Sequence, residues 1–276
     1  MNVSLLDPEG SRRRRSALST LGRLFFAVAM AAFGIQQLVS GELVRLAPPL
    51  PAWMPWHPFW AYVTGALLLA AGAAIALRIG ARWAAAALGV MLLFDIVVLH
   101  LPKALANAGV GAAWTNPCKA LAMLGGVLIL AAVLPEDRAG GSPALERTFS
   151  KLTSLGPVFL AAFMILGGIQ HFVYRDFVAT LVPSWIPNPM FWTCFAGVAL
   201  IAGGIGLLVP KTARWAALMT GLMILSWVVL LHIPRALAAP HDPGETSGVF
   251  EALAFSGVAF ILADRRRPRF GVDSSR

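Results

Sequence analysis

The chain has 276 residues, of which 58% are hydrophobic and only 13% charged. Soluble domains carry about 25% charged residues, so this composition excludes a water-soluble globular fold and puts most of the surface in lipid. The net charge of +9 does not call for nucleic acid as a partner: the basic residues gather at chain ends and beside apolar runs, with no basic stripe of interleaved aromatics.

Residues 1–20 form a basic tail around Arg12–Arg15. No small-residue cleavage site follows the first apolar run, so the tail reads as a lead-in to an anchoring helix rather than a signal peptide. Four spans are predicted near Leu21–Val39, Phe59–Ile79, Ala81–Leu101 and Pro117–Leu134. A polar linker occupies 135–154. Four more spans follow near Pro157–Val173, Met190–Val209, Ala213–Ile233 and Val249–Ala263, and a second basic tail fills 265–276. Each run approaches the ~20 residues that cross the hydrocarbon as a helix. Helix is required because lipid offers no partners to backbone amides, and no barrel-like alternation is present. The expected fold class is an all-α membrane protein with eight transmembrane helices, as two parallel-repeat four-helix bundles over 21–134 and 155–264.

Lys and Arg set the orientation. One set of connections holds Arg78, Arg82, Arg138, Arg147, Lys151, Lys211, Arg214 and both tails. The opposite set holds only Arg45, Lys103, Lys119, Arg175 and Arg235. The first set is expected in the cytoplasm, with both termini, as in an inner (plasma) membrane protein.

The halves are copies. At an offset of 132, residues 46–105 align with 178–237 without a gap, and 24 of 60 positions are identical. Ala81-Arg82-Trp83-Ala84-Ala85 recurs as Ala213-Arg214-Trp215-Ala216-Ala217, and His100-Leu101-Pro102-Lys103 as His232-Ile233-Pro234-Arg235. Gly34-Ile35-Gln36 recurs as Gly168-Ile169-Gln170 at an offset of 134. With an even number of spans per half, both enter the membrane in the same direction. The repeat is parallel, about an axis along the membrane normal.

Ionisable residues inside spans mark candidate sites. His100 with Lys103, and His232 with Arg235, stand at the ends of spans three and seven, where Pro102 and Pro234 end or kink the helix. The two imidazoles are candidates to face each other and bind a polar ligand or headgroup, or simply to cap helix ends. Without an H-x-x-E or H-E-x-x-H pattern, no metal is expected. Gln37 in the first half answers to His171 in the second. Lys119 answers to Glu251, an opposite charge at the equivalent place, either bridging the halves or reaching separately to water. Asp95, opposite Trp227, is either part of a relay with His100 and Lys103 or a packing residue. Cys118 and Cys194 form no C-x-x-C motif and fall at non-equivalent places, which argues against a dithiol centre. The loops Pro48–Trp56 and Pro183–Pro189 read as interfacial Trp anchors or as a cap over a cavity.

Gly168-Ile169-Gln170-His171-Phe172, Val182-Pro183-Ser184-Trp185-Ile186-Pro187, the Gly-rich sixth span and His232 together resemble the DoxX-like family of four-span membrane proteins, here in tandem duplication. The first half carries the pattern in weaker form, with Gln37 in place of the histidine. The resemblance implies a polytopic membrane protein of unassigned activity: some members of that family are tied to quinone-linked oxidation of sulfur compounds, others accompany redox or maturation systems, and most have no assigned activity. The expectation is therefore a quinone- or lipid-binding subunit assisting a membrane redox partner. A small-solute or lipid transporter and a structural subunit are the alternatives.

Overall fold

Inside a bilayer every backbone amide must find its partner within its own segment, and the apolar runs meet that demand as helices. A computed structural model of the chain describes residues 8–44, 49–134 and 150–265, with side chains from residue 17 onward. The side chains of Arg12–Arg15, Arg45, the linker over 135–149 and the tail after residue 265 lie outside the described residues.

Among the described residues, eight helices are long and apolar enough to cross a membrane. They are α1 (Ala17–Ser40), α2 (His57–Leu77), α3 (Ala81–Ala106), α4 (Gly111–Ala131), α5 (Ser150–Val173), α6 (Pro189–Leu208), α7 (Ala213–Ala238) and α8 (Pro243–Asp264). The expectation of an all-helical, eight-span membrane protein holds.

Two boundaries differ from the sequence reading in a way that matters. Spans three and seven do not stop at Pro102 and Pro234. In each the helix widens into a π-turn, Asp95–His100 and Val228–His232, and continues to Ala106 and Ala238. Proline lacks the N–H and crowds the carbonyl four residues back. The wider turn relieves that conflict and leaves each proline in the first turn of the next helical piece, where its missing N–H has no bond to make. The eighth span also starts six residues early, at Pro243, because Asp242 caps it by accepting from Gly244 N at 2.7 Å.

The helices pack in a ring that follows the chain, and the ring closes between the halves. α1 packs on α2 and α8; α5 packs on α6 and α4. The last helix of each half thus leans on the first helix of the other, and α4 and α8 also meet at the centre. These two are the most buried spans, at 50% and 67%. Every pairing has its repeat-related twin, which defines a pseudo-two-fold axis between α4 and α8.

Equivalent residues that touch must lie on that axis, where identical bulk would clash with itself. Gly126 meets Val258, its equivalent, at a place where a Cβ on Gly126 would sit 2.6 Å from Val258 Cγ2. Small against large resolves the clash. Glycines also set the crossings between halves. Gly125 opposes Gly156, each with its missing Cβ 2.7 Å from the other's carbonyl oxygen, and Gly257 opposes Gly22 in the equivalent α8–α1 crossing. Without a hydrophobic drive in lipid, such close backbone approach supplies the dispersion contact that holds helices together.

On the side of the α2–α3 turn, Arg23 is buried and its guanidinium donates to Ile75 O at 2.5 Å and Ala76 O at 2.6 Å. It satisfies carbonyls left open at the end of α2. Arg23→Met should therefore lower stability by about 2 kcal/mol, read as a drop in the thermal midpoint in detergent. An unchanged midpoint would show the cap to be dispensable.

Candidate functional site

The side opposite the α2–α3 turn carries the α1–α2, α3–α4, α5–α6 and α7–α8 connections. There a cavity of about 990 Å³ opens on the pseudo-axis. Both His-Pro-basic elements line it: His100 with Lys103 from α3, and His232 with Arg235 from α7. The starts of α4 and α8 supply Lys119, Glu245 and Glu251. Six of the nine residues singled out by sequence therefore share one cavity: His100, Lys103, Lys119, His232, Arg235 and Glu251.

Lys119 Nζ donates to Glu251 Oε2 at 2.7 Å, bridging the equivalent positions of α4 and α8 on the axis. A symmetric pair of like charges there would repel; the divergence of the repeat turned it into an attraction. Arg235 holds Glu245 through both Nε, at 2.9 Å, and Nη2, a bidentate pairing that fixes the guanidinium plane. His232 lies against Gly248, where a Cβ would stand 3.2 Å from its Nδ1.

Charge is not shared equally between the halves. The first-half equivalent of Glu245 is Ala113, so Lys103 has no carboxylate in the place where Arg235 has one. Lys103 makes no ion pair with a described residue. Among the described residues that line it, three cationic side chains against two carboxylates leave one positive charge in excess. Glu245 escaped the sequence reading, although Asp242-Pro243-Gly244-Glu245 is the capping pattern of a helix start and would have extended α8 to include it.

Gln37 and Asp95 lie deeper. With Thr64 and His100 they line a chamber of about 30 Å³ within the first half. Gln37 is buried, and its Oε1 accepts from Thr64 Oγ1 at 2.9 Å. The structure places His171 apart from the cavity: it stacks on Trp227, centroids 6.2 Å apart, with Nδ1 2.7 Å from Gly167 O. The positions equivalent to Gln37 and Asp95 thus hold a packed aromatic pair in the second half.

Two further glutamines, outside the expected site set, frame the cavity. Gln36 donates to Pro243 O and accepts from Ser247 Oγ; Gln170 donates to Gly111 O and accepts from Thr115 Oγ1. Each clamps the start of the other half's last helix, with distances of 2.9 to 3.0 Å. Their retention in both copies was the available signal. Among the described residues, His, Cys, Asp and Glu nowhere gather in a group of three or more able to hold a metal, and Cys118 and Cys194 are free thiols.

Residues 18–101 match the family model DoxX. The first half is DoxX-like. Residues 160–253 match a different model, described as a domain of unknown function (DUF8561). Each model spans about a third of the chain. No curated protein and no solved structure matches. The DoxX match takes in Gln37, Asp95 and His100; the second match takes in His171, Trp227, His232, Arg235, Glu245 and Glu251. Copies that still align by sequence have thus drifted far enough to match separate models, and the polar chamber lies in the DoxX-like copy.

Proposed function

We propose that the axial cavity binds the polar head of a membrane amphiphile, a quinone or a lipid headgroup, and that the protein assists a membrane redox partner in that way. The observation that carries this reading is the cavity itself. It has the volume of a small-molecule site, opens at one face of the bundle, and holds one histidine from each half with Lys103, which makes no ion pair with a described residue. Quinone carbonyls and lipid phosphates are oxygen acceptors, the groups that Lys103, His100 and His232 can serve as donors. A passage for solutes is less favoured, because the central helices meet closely through Gly126 and Val258, and Met123 and Phe255 on the same helices are buried apolar side chains. By the distribution of Lys and Arg, the cavity faces the non-cytoplasmic side of an inner (plasma) membrane, with both termini in the cytoplasm.

In nanodiscs, titration with a short-chain ubiquinone analogue should give saturable quenching of tryptophan fluorescence, with Trp114 beside the cavity as one reporter. A parallel titration with phosphatidylglycerol separates the lipid alternative. Lys103→Ala, and the double change His100→Ala with His232→Ala, should each weaken the responding ligand by about tenfold or more, equivalent to 1.4 kcal/mol. No saturable change with either ligand, or an equal response in the variants, would end the proposal.

A further inference from the structure

We infer that the chamber beside Asp95 is a proton-exchange site of the first half alone, holding water between the Asp95 carboxyl and the His100 imidazole, with His100 as its door to the axial cavity. Three observations carry it. The first is connectivity: among the described residues lining the two spaces, His100 is the one they have in common. A proton leaving the chamber for the cavity meets a group able to take it on one ring nitrogen and release it from the other.

The second is the π-turn. Asp95 and His100 are its first and last residues. Five residues apart on an α-helix, two side chains point about 140° away from each other. The wider i→i+5 turn narrows that angle, and both line the same chamber. The turn just before Pro102 thus brings acid and base to one chamber.

The third is the contrast between copies. The polar lining of the chamber is Gln37, Thr64, Asp95 and His100. The first three answer to His171, Ala196 and Trp227 in the second half, where His171 stacks on Trp227. The fourth, His232, is retained. The second half keeps the histidine and has an aromatic pair in place of the polar lining.

The chamber's 30 Å³ accommodates about two water molecules, at roughly 10–15 Å³ for each. Among the described residues, Asp95 and His100 are the titratable groups in its lining; α1 faces them with Gln37, Met30 and Phe33, α2 with Thr64 and Leu68, and α4 with Ala120 and Met123. On the cavity side His100 shares its surroundings with Lys103, Lys119, His232, Arg235, Glu245 and Glu251. The exchange is a plain acid–base one: the carboxyl O–H bond breaks, the proton passes by water to the imidazole and then to the cavity, and the carboxylate takes it back by the same route. No electron donor or acceptor is involved, and the inference stands whatever ligand the cavity takes.

The test is infrared difference spectroscopy of the purified protein in nanodiscs during pH steps and transfer to deuterated buffer. A carboxylic C=O band that titrates, shifts in deuterated buffer and is absent from Asp95→Asn is the expected result. His100→Leu should keep the band and slow its deuteration by roughly a hundredfold. His171→Gln with Ala196→Thr and Trp227→Asp should open the second chamber and add a second titrating band. The converse change, Gln37→His with Asp95→Trp, should retain the thermal midpoint and lose the band. No Asp95-dependent band, deuteration at the normal rate in His100→Leu, or no second band from a folded triple variant would each overturn the inference. A failed quinone or lipid titration beside a positive infrared result would count against the cavity's ligand and leave the chamber standing.

Discussion

Gly257→Val is expected to lower stability by about 3 kcal/mol and to broaden the size-exclusion peak in mild detergent, because it strikes the crossing that closes the ring. A Cβ at Gly257 would sit 2.9 Å from Phe25 Cβ and 3.2 Å from Phe26 N, besides pressing on the Gly22 carbonyl. Backbone and a Cβ cannot rotate aside, so α8 must move away from α1. Gly125→Val at the equivalent α4–α5 crossing should behave alike, since its Cβ would meet Gly156 O at 2.7 Å and Phe159 Cβ at 2.9 Å. Gly109→Ala, with nothing within 4 Å of the added atom, is the control. Thermal unfolding followed by intrinsic fluorescence decides the matter. If Gly257→Val melted like the control, closure between the halves would not depend on backbone contact.

Loss of one partner from the axial ion pair should have the second large effect. Lys119→Met leaves the Glu251 carboxylate, whose side chain is 10% exposed, without its counter-charge, while Lys119 itself is 29% exposed. Breaking a fully buried pair costs more; with the lysine partly solvated, about 2 kcal/mol is expected. Glu251→Met should be milder, because the freed ammonium can reach water. The exchange Lys119→Glu with Glu251→Lys should regain most of the loss, since the axis makes the two places near-equivalent. The double change to Met at both positions should sit near the parent, as an apolar pair removes both desolvation penalties. A thermal double-mutant cycle measures the coupling. Strict additivity would show that the two side chains merely reach toward the same water.

The positions that proved informative were legible for a reason. Ionisable residues are expensive in lipid, so each one in a span carries weight, and a duplicated chain supplies its own comparison. Lys119 against Glu251 was visible as an opposite pair 132 residues apart, and the structure joins them at 2.7 Å. His100 and His232 were visible as copies of one element, and they line one cavity. His171 was grouped with them because it stands near the same end of its span. A side chain's direction around a helix depends on packing, and His171 turns instead to Trp227. Glu245 was passed over because apolar periodicity fixes the middle of a span far better than its polar start.

Sequence by itself determined the solvent, the eight crossings, the parallel sense of the repeat and the residues whose burial needs a reason. Those follow from local chemistry: apolar length, the cost of charge in lipid and the identity of the copies. Only the tertiary structure decided how the copies close on each other, with α8 on α1 and α4 on α5. Glycine crossings and glutamine clamps between distant segments make that choice, and their partners are set by contact rather than by spacing. It alone also decided that the prolines turn their helices through a wide π-turn rather than ending them. The hydrogen-bond ladder can slip by one residue and go on when neighbouring helices hold both pieces in place. The slip occurs in both halves, and Asp95 in place of Trp227 is what makes the first half chemically unlike the second.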